Sequence, residues 1–191
     1  MTQIDVPNSP GFFISRWREK GPVETEILEE WKEEMEIESW LMIAEAAMFL
    51  DAAELLELIQ SKLSPAEKAT LGLVRRRMLG DNHLEKAIDD AIQITKDPET
   101  RDLKLEGRLR MERGLSRFEA GDIEGADEDL TWSEVRLKSV AKASRDHDLS
   151  LLNKAAFHMA TGAPLMALAV YSDISRNSGH ANETIAISRL G

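Results

Sequence analysis

Between residues 24 and 38 the chain sets a sparse apolar series, Ile27, Trp31 and Met35, at intervals of one helical turn among Glu24, Glu26, Glu29, Glu30, Glu33, Glu34, Glu36 and Glu38. That spacing predicts a helix with one buried stripe and a solvated acidic face. From Trp40 to Leu63 the pattern turns apolar through Leu41, Met42, Ile43, Ala46, Ala47, Phe49 and Leu50, then Leu55, Leu56, Leu58 and Ile59. Asp51 ahead of Ala52-Ala53-Glu54 reads as an N-cap with its N3 partner, so a turn divides two antiparallel helices; one continuous helix is the competing reading.

Downstream the start and stop signals sharpen. Ser64-Pro65-Ala66-Glu67 predicts a capping box with proline at the first helical position, opening a helix to about Leu79. Gly80 ends it, and Asn82-His83-Leu84-Glu85 opens a partner helix carrying Leu84, Ala87, Ile88, Ala91 and Ile92 to about Thr95, the two forming a hairpin. Asp97-Pro98 predicts a long helix reaching Ala120, and Gly121-Asp122 a stop with immediate restart. The return helix has Ala126, Leu130, Leu137 and Ala141 along one stripe. A further hairpin is predicted over 148–161 and 163–176, broken at Thr161-Gly162-Ala163-Pro164, and Asn182 caps a last helix running to Gly191. At the other end Pro7, Pro10, Gly11, Gly21 and Pro22 predict an extended arm over 1–22. The arm contains Gly11-Phe12-Phe13-Ile14-Ser15-Arg16-Trp17, too apolar to be left in water, so it packs on its own domain or docks on another chain.

Composition agrees with helix. Of 191 residues 42% are hydrophobic, 31% charged and only 5% aromatic, with Ala, Leu and Glu prominent. An all-α fold follows, with a 1–22 arm, an acidic helix and hairpin over 23–64, and hairpins over 65–191. Cysteine is absent, which removes disulfides, thiolate ligands and cysteine nucleophiles and agrees with a reducing cytoplasm. No stretch approaches the roughly 18 apolar residues of a membrane span, and Met1 to Ser15 lacks a signal-peptide pattern. The net charge of −11 opposes binding to nucleic acid or anionic lipid.

The hairpins echo one another: Gly114, Gly121-Asp122 and Ala126 are answered by Ala155, Gly162, Ala167 and Tyr171, and the opening half returns as Ile187 and Leu190-Gly191. In this the chain resembles the tetratricopeptide repeat family, moderately over 107–191 and weakly from 65. Arg110, Arg113 and Arg117 depart from it, standing where the family places apolar residues, while Gly107 and Gly114 lie seven apart on one face and permit close helix approach. The resemblance implies stacked antiparallel hairpins in a right-handed α-solenoid, the last one incomplete, working as a non-enzymatic adaptor or scaffold. It implies a concave groove lined by Arg108, Met111, Leu115 and Phe118 of one helix and Leu152, Asn153, Ala156 and Met159 of the next, mostly apolar and suited to a partner's helix or peptide. The alternative for these side chains is packing against the neighbouring hairpin. The family's carboxylate clamp is not matched, since Met111 and Leu115 occupy its first positions.

Chemistry-bearing patterns are sparse. His147-Asp148 resembles the central dipeptide of the HD phosphohydrolases, yet His83, His158 and His180 supply no ligand spacing, so no metal or cofactor is expected and Asp148 reads as a helix cap. No nucleophile elbow, Ser-His-Asp order or phosphate-binding glycine loop is present. Arg75-Arg76-Arg77 and two series, Arg101, Lys104, Arg108 and Arg110, Arg113, Arg117, would suit RNA, but Glu106, Glu112 and Glu119 neutralise them and no stacking platform accompanies them. Pairing of these arginines with the 24–38 carboxylates is the favoured reading. The 149–171 hairpin is apolar on nearly every side, which predicts a fragment of a longer chain or burial in a homodimer. A small helical enzyme or nucleotide- or RNA-binding regulator is the alternative class.

Overall fold

The computed structural model describes residues 9–81, 84–142 and 144–176, and among these the chain is all-helical, with ten α-helices and no strand. It divides into two units, 1–82 and 83–191. The first holds α1 (Pro10–Lys20), α2 (Thr25–Glu34), α3 (Trp40–Phe49), α4 (Ala53–Ile59) with a short 3-10 turn at Gln60–Lys62, and α5 (Pro65–Met78). The second holds α6 (Glu85–Thr95), α7 (Leu103–Glu119), α8 (Ile123–Val140), α9 (Arg145–Ala160) and α10 (Pro164–Arg176). The hairpin expected of the 65–79 and 84–95 helices therefore falls across the division.

In the first unit the expected extended arm is instead helical from Pro10. Ser9 caps Phe12 N–H, Pro10 suits the first turn, and Gly21 at φ 75° accepts the stop. The helix pays off in burial: Phe13 and Ile14 are fully enclosed, and Phe13 meets Trp31 and Trp40 edge-on at 5.9 and 6.3 Å. On α2 the buried stripe is Leu28 and Trp31, continued by Met35 and Ile37, while Ile27 is half-exposed and most of the glutamates stay in water. α3 and α4 are separate helices, but Asp51 ends the first rather than capping the second. It sits at φ 52°, with Ala52 N–H bonded to Ala47 carbonyl at 2.8 Å, because aspartate tolerates the left-handed position this helix stop requires. The capping box at Ser64 and Glu67 is complete, with bonds of 3.2 and 2.9 Å.

Gly80, Gly121 and Gly162 stand at equal intervals along the chain, and each takes φ between 80° and 86° at a helix stop. At each stop the following amide bonds back five residues: Asp81 to Arg76, Asp122 to Arg117 and Ala163 to His158. Glycine carries no Cβ penalty there. In the second unit α6 packs on α7, α7 on α8, α8 on α9 and α9 on α10. The α7–α8 approach is close because Gly107 faces Leu137 and Gly114 faces Leu130; a Cβ added at either glycine would stand 2.9 or 3.0 Å from the leucine Cγ. Ser133 Oγ donates to Gly107 carbonyl at 2.7 Å across the same seam. The long helix expected from Asp97-Pro98 begins at Leu103, where Asp102 accepts from Leu105 N–H; Asp97 accepts from Glu99 N–H in a local turn instead. Asp148 is not the cap of α9 either. Ser144 is, and Asp148 is buried inside the first turns. The Asn182 cap and final helix, with His83 and His180, lie outside the described residues.

Candidate functional site

Three arginines read as departures from an apolar pattern converge on one carboxylate. Asp129 of α8 is fully buried on the stripe of Ala126, Leu130, Ser133 and Leu137. Arg113 grips it side-on through one edge of the guanidinium, Nε to Oδ2 and Nη2 to Oδ1 at 2.7 Å each, and gives its remaining Nη1 to Asp89 of α6 at 2.6 Å. Arg117 Nη1 donates to Oδ2 at 3.0 Å, and Arg110 Nη1 to Oδ1 at 3.3 Å while its Nε reaches buried Glu106 at 3.1 Å. The Arg113 pKa is raised, chiefly by its hydrogen bonds to Asp129 and further by Asp89, against the lowering effect of burial. The series Arg110, Arg113 and Arg117 is thus engaged by carboxylates of its own unit, and in the 24–38 run Glu29 pairs with Lys62 and Glu34 with Arg16.

This cluster binds helices to one another. Charge is matched inside it, and Arg110 is further covered by the Trp132 ring at 4.2 Å, with Arg136 at 5.1 Å from the same ring. Its guanidiniums are committed to carboxylates of α6, α7 and α8, and Arg117 Nε, buried without a hydrogen bond, lies 3.8 Å from Glu85 and 3.9 Å from Asp122.

The eight residues expected to line a groove separate into two sets. Met111 is buried with Ala126, Leu130 and Phe157, and Leu115 and Phe118 pack against that cluster. Phe118 meets Phe157 edge-on at 5.5 Å, so α9 covers this half of the surface. Arg108, Leu152 and Asn153 are half-buried, whereas Ala156 is exposed and Met159 is 50% exposed. The open apolar surface continues instead onto α10, where Leu165, Met166 and Leu168 are 79%, 56% and 59% exposed. No charged residue occurs from Ala155 to Ser172. On α10 only Ala167 and Ile174 are buried.

Among the described residues no group of three or more His, Asp or Glu is placed to hold a metal ion, and no helix is long and apolar enough to cross a membrane. His147 is buried in α9, and His158 stacks edge-on to Phe157 at 5.9 Å. Asp127 and Thr131 both accept from buried Lys154, Thr131 at 2.5 Å, which ties α9 to α8. No family model, curated protein or solved structure matches the chain.

Sequence reasoning found the glycines and the helix stops but missed Asp129. The signal was present: an aspartate one helical turn after Ala126 and before Ser133 stands on the buried stripe, opposite three arginines spaced for one face. A buried acid on an apolar stripe calls for cations within reach.

Proposed function

We propose that this chain is a non-enzymatic protein-interaction module that receives the apolar face of a helix on the α9–α10 surface. The observation that carries the proposal is the run of Met159, Leu165, Met166 and Leu168, all exposed within a charge-free stretch of a chain that is 31% charged. Such a patch costs solubility unless something covers it. Methionines at its centre adapt to the shape of what they meet. The tetratricopeptide-like pattern of the hairpins supports this reading as an analogy of architecture, with the receiving surface displaced from α7 and α9 to α9 and α10. The helix comes from another protein or from a second copy of the chain.

The test compares the wild-type chain with Leu165→Glu/Leu168→Glu after circular dichroism confirms equal helicity. The proposal expects sedimentation to show loss of a dimer, or capture to show loss of a specific protein, in the variant alone. A wild-type chain that is monomeric at micromolar concentration and captures the same proteins as the variant contradicts it.

A further inference from the structure

The α9–α10 surface carries a reactive group of its own. Cysteine is absent, so methionine holds all of the chain's sulfur, and thioether oxidation is the sulfur chemistry open to it. Among the described methionines Met159, Met166 and Met78 are 50%, 56% and 47% exposed, whereas Met35 and Met111 are 2% and 3% exposed. Met42 and Met48 are half-buried. Two of the three open thioethers therefore stand on one surface, Met159 in the last turn of α9 and Met166 in the first turn of α10. Exposed Leu165 and Leu168 flank Met166. Met78, at the end of α5 in the first unit, is the open thioether away from that surface.

We infer that Met159 and Met166 form an oxidation site at which hydrogen peroxide switches the α9–α10 surface off, an inference that rests on the docking reading of that surface. A sulfur lone pair attacks one peroxide oxygen and the O–O bond breaks as the S–O bond forms. The proton on the transferred oxygen leaves with the departing hydroxide as water, so sulfur is oxidised by two electrons and the peroxide is reduced by two. The product is a sulfoxide, which puts a strongly polar oxygen where a weak acceptor stood. In the free chain water solvates that oxygen and the fold is unaffected. Beneath the apolar face of a docked helix it loses that water and meets no donor, so the cost falls on the bound state alone. Burial keeps Met35 and Met111 from the oxidant, and Met111 lies in the core with Leu130 and Phe157, where a sulfoxide would damage the fold. A methionine sulfoxide reductase supplied with a dithiol restores the thioether, the dithiol becoming a disulfide and the oxygen leaving as water.

The experiment treats the full chain with hydrogen peroxide for graded times, removes the peroxide with catalase, and locates added oxygen by peptide mass spectrometry. Circular dichroism checks helicity, and sedimentation and capture report association with a second copy or a captured protein. Met159, Met166 and Met78 should oxidise at least about tenfold faster than Met35 and Met111. With the exposed sulfurs oxidised and helicity unchanged, association of the wild-type chain should weaken by at least about tenfold, and reductase with dithiothreitol should restore it. Met159→Leu/Met166→Leu, which keeps apolar volume, should associate as wild type does and resist peroxide, whereas Met78→Leu should remain sensitive. Association that survives oxidation of both Met159 and Met166, or Met159→Leu/Met166→Leu losing association to peroxide as wild type does, overturns the inference and leaves the docking reading standing. A reduced wild-type chain that neither dimerises nor captures a protein overturns the docking reading and this inference with it.

Discussion

Removing the Asp129 carboxylate should be the most costly single change to a charged residue in the second unit. Asp129→Ala deletes contacts at 2.7, 2.7, 3.0 and 3.3 Å and leaves three guanidiniums facing the site it occupied. What remains differs among them: Arg110 keeps Glu106, which is 3% exposed, whereas Arg113 keeps Asp89 at 44% exposure and Arg117 keeps Glu85 at 3.8 Å and 61% exposure. Ion pairs that wet contribute about 0–1 kcal/mol each, while breaking a buried pair costs about 3–5 kcal/mol. With one arginine still paired in the interior, the expected loss is about 3 kcal/mol, or roughly 6–12 °C in Tm for a chain of this size. Asp129→Asn keeps the shape and one acceptor and should lose less, about 2 kcal/mol. Urea is the denaturant of choice, since guanidinium chloride would screen the ion pairs. A loss below about 1 kcal/mol for Asp129→Ala would mean that the cluster does not hold the helices together. The raised Arg113 pKa adds stability that is fully present below the ordinary arginine range and is lost only as pH rises beyond it. Arg113 therefore contributes no change in stability between about pH 5 and pH 9.

Other changes test the packing and its limits. Gly114→Ala should destabilise by about 1–2 kcal/mol, because its Cβ would meet Leu130 Cγ at 3.0 Å and Ala126 carbonyl at 3.3 Å, whereas Gly72→Ala on α5, with nothing within 4 Å, should stabilise by about 0.5–1 kcal/mol in thermal unfolding. Phe118→Glu should cost about 2–4 kcal/mol in urea unfolding, since it places a charge against Met111, Leu130 and Phe157; a stable variant would mean the α7 surface is open after all. Deleting residues 1–20 removes Phe13, Ile14 and Trp17 from the first core, each worth about 1.5–3 kcal/mol of burial, and should abolish cooperative unfolding of that unit.

Local signals in the sequence were informative where one or two residues decide an outcome. Ser64 with Glu67, Gly121 with Asp122 and Gly162 with Pro164 each carry their own geometry, and the structure shows helix boundaries at all three. The reading weakened where a neighbour decides. The prolines and glycines of residues 1–22 suggest an extended arm, yet Pro10 lies at the first turn and Gly21 past the last, where those residues favour a helix. Asp51 and Asp97 look like caps in sequence, but tertiary placement makes one a helix stop and the other a turn. The α7 side of the expected groove is covered for a similar reason: periodicity puts Met111, Leu115 and Phe118 on one face without saying whether that face meets water or Phe157. Asp129 needed two patterns, on α7 and α8, to be read together.

Hydrogen exchange on the chain bound to the protein or second copy it captures would locate the receiving surface on its helices. Added amide protection is expected across α10 and the end of α9, residues 156–172, with 111–118 of α7 unchanged because Met111, Leu115 and Phe118 are already packed. Protection appearing at 111–118 while α10 exchanges as in the free chain would contradict it.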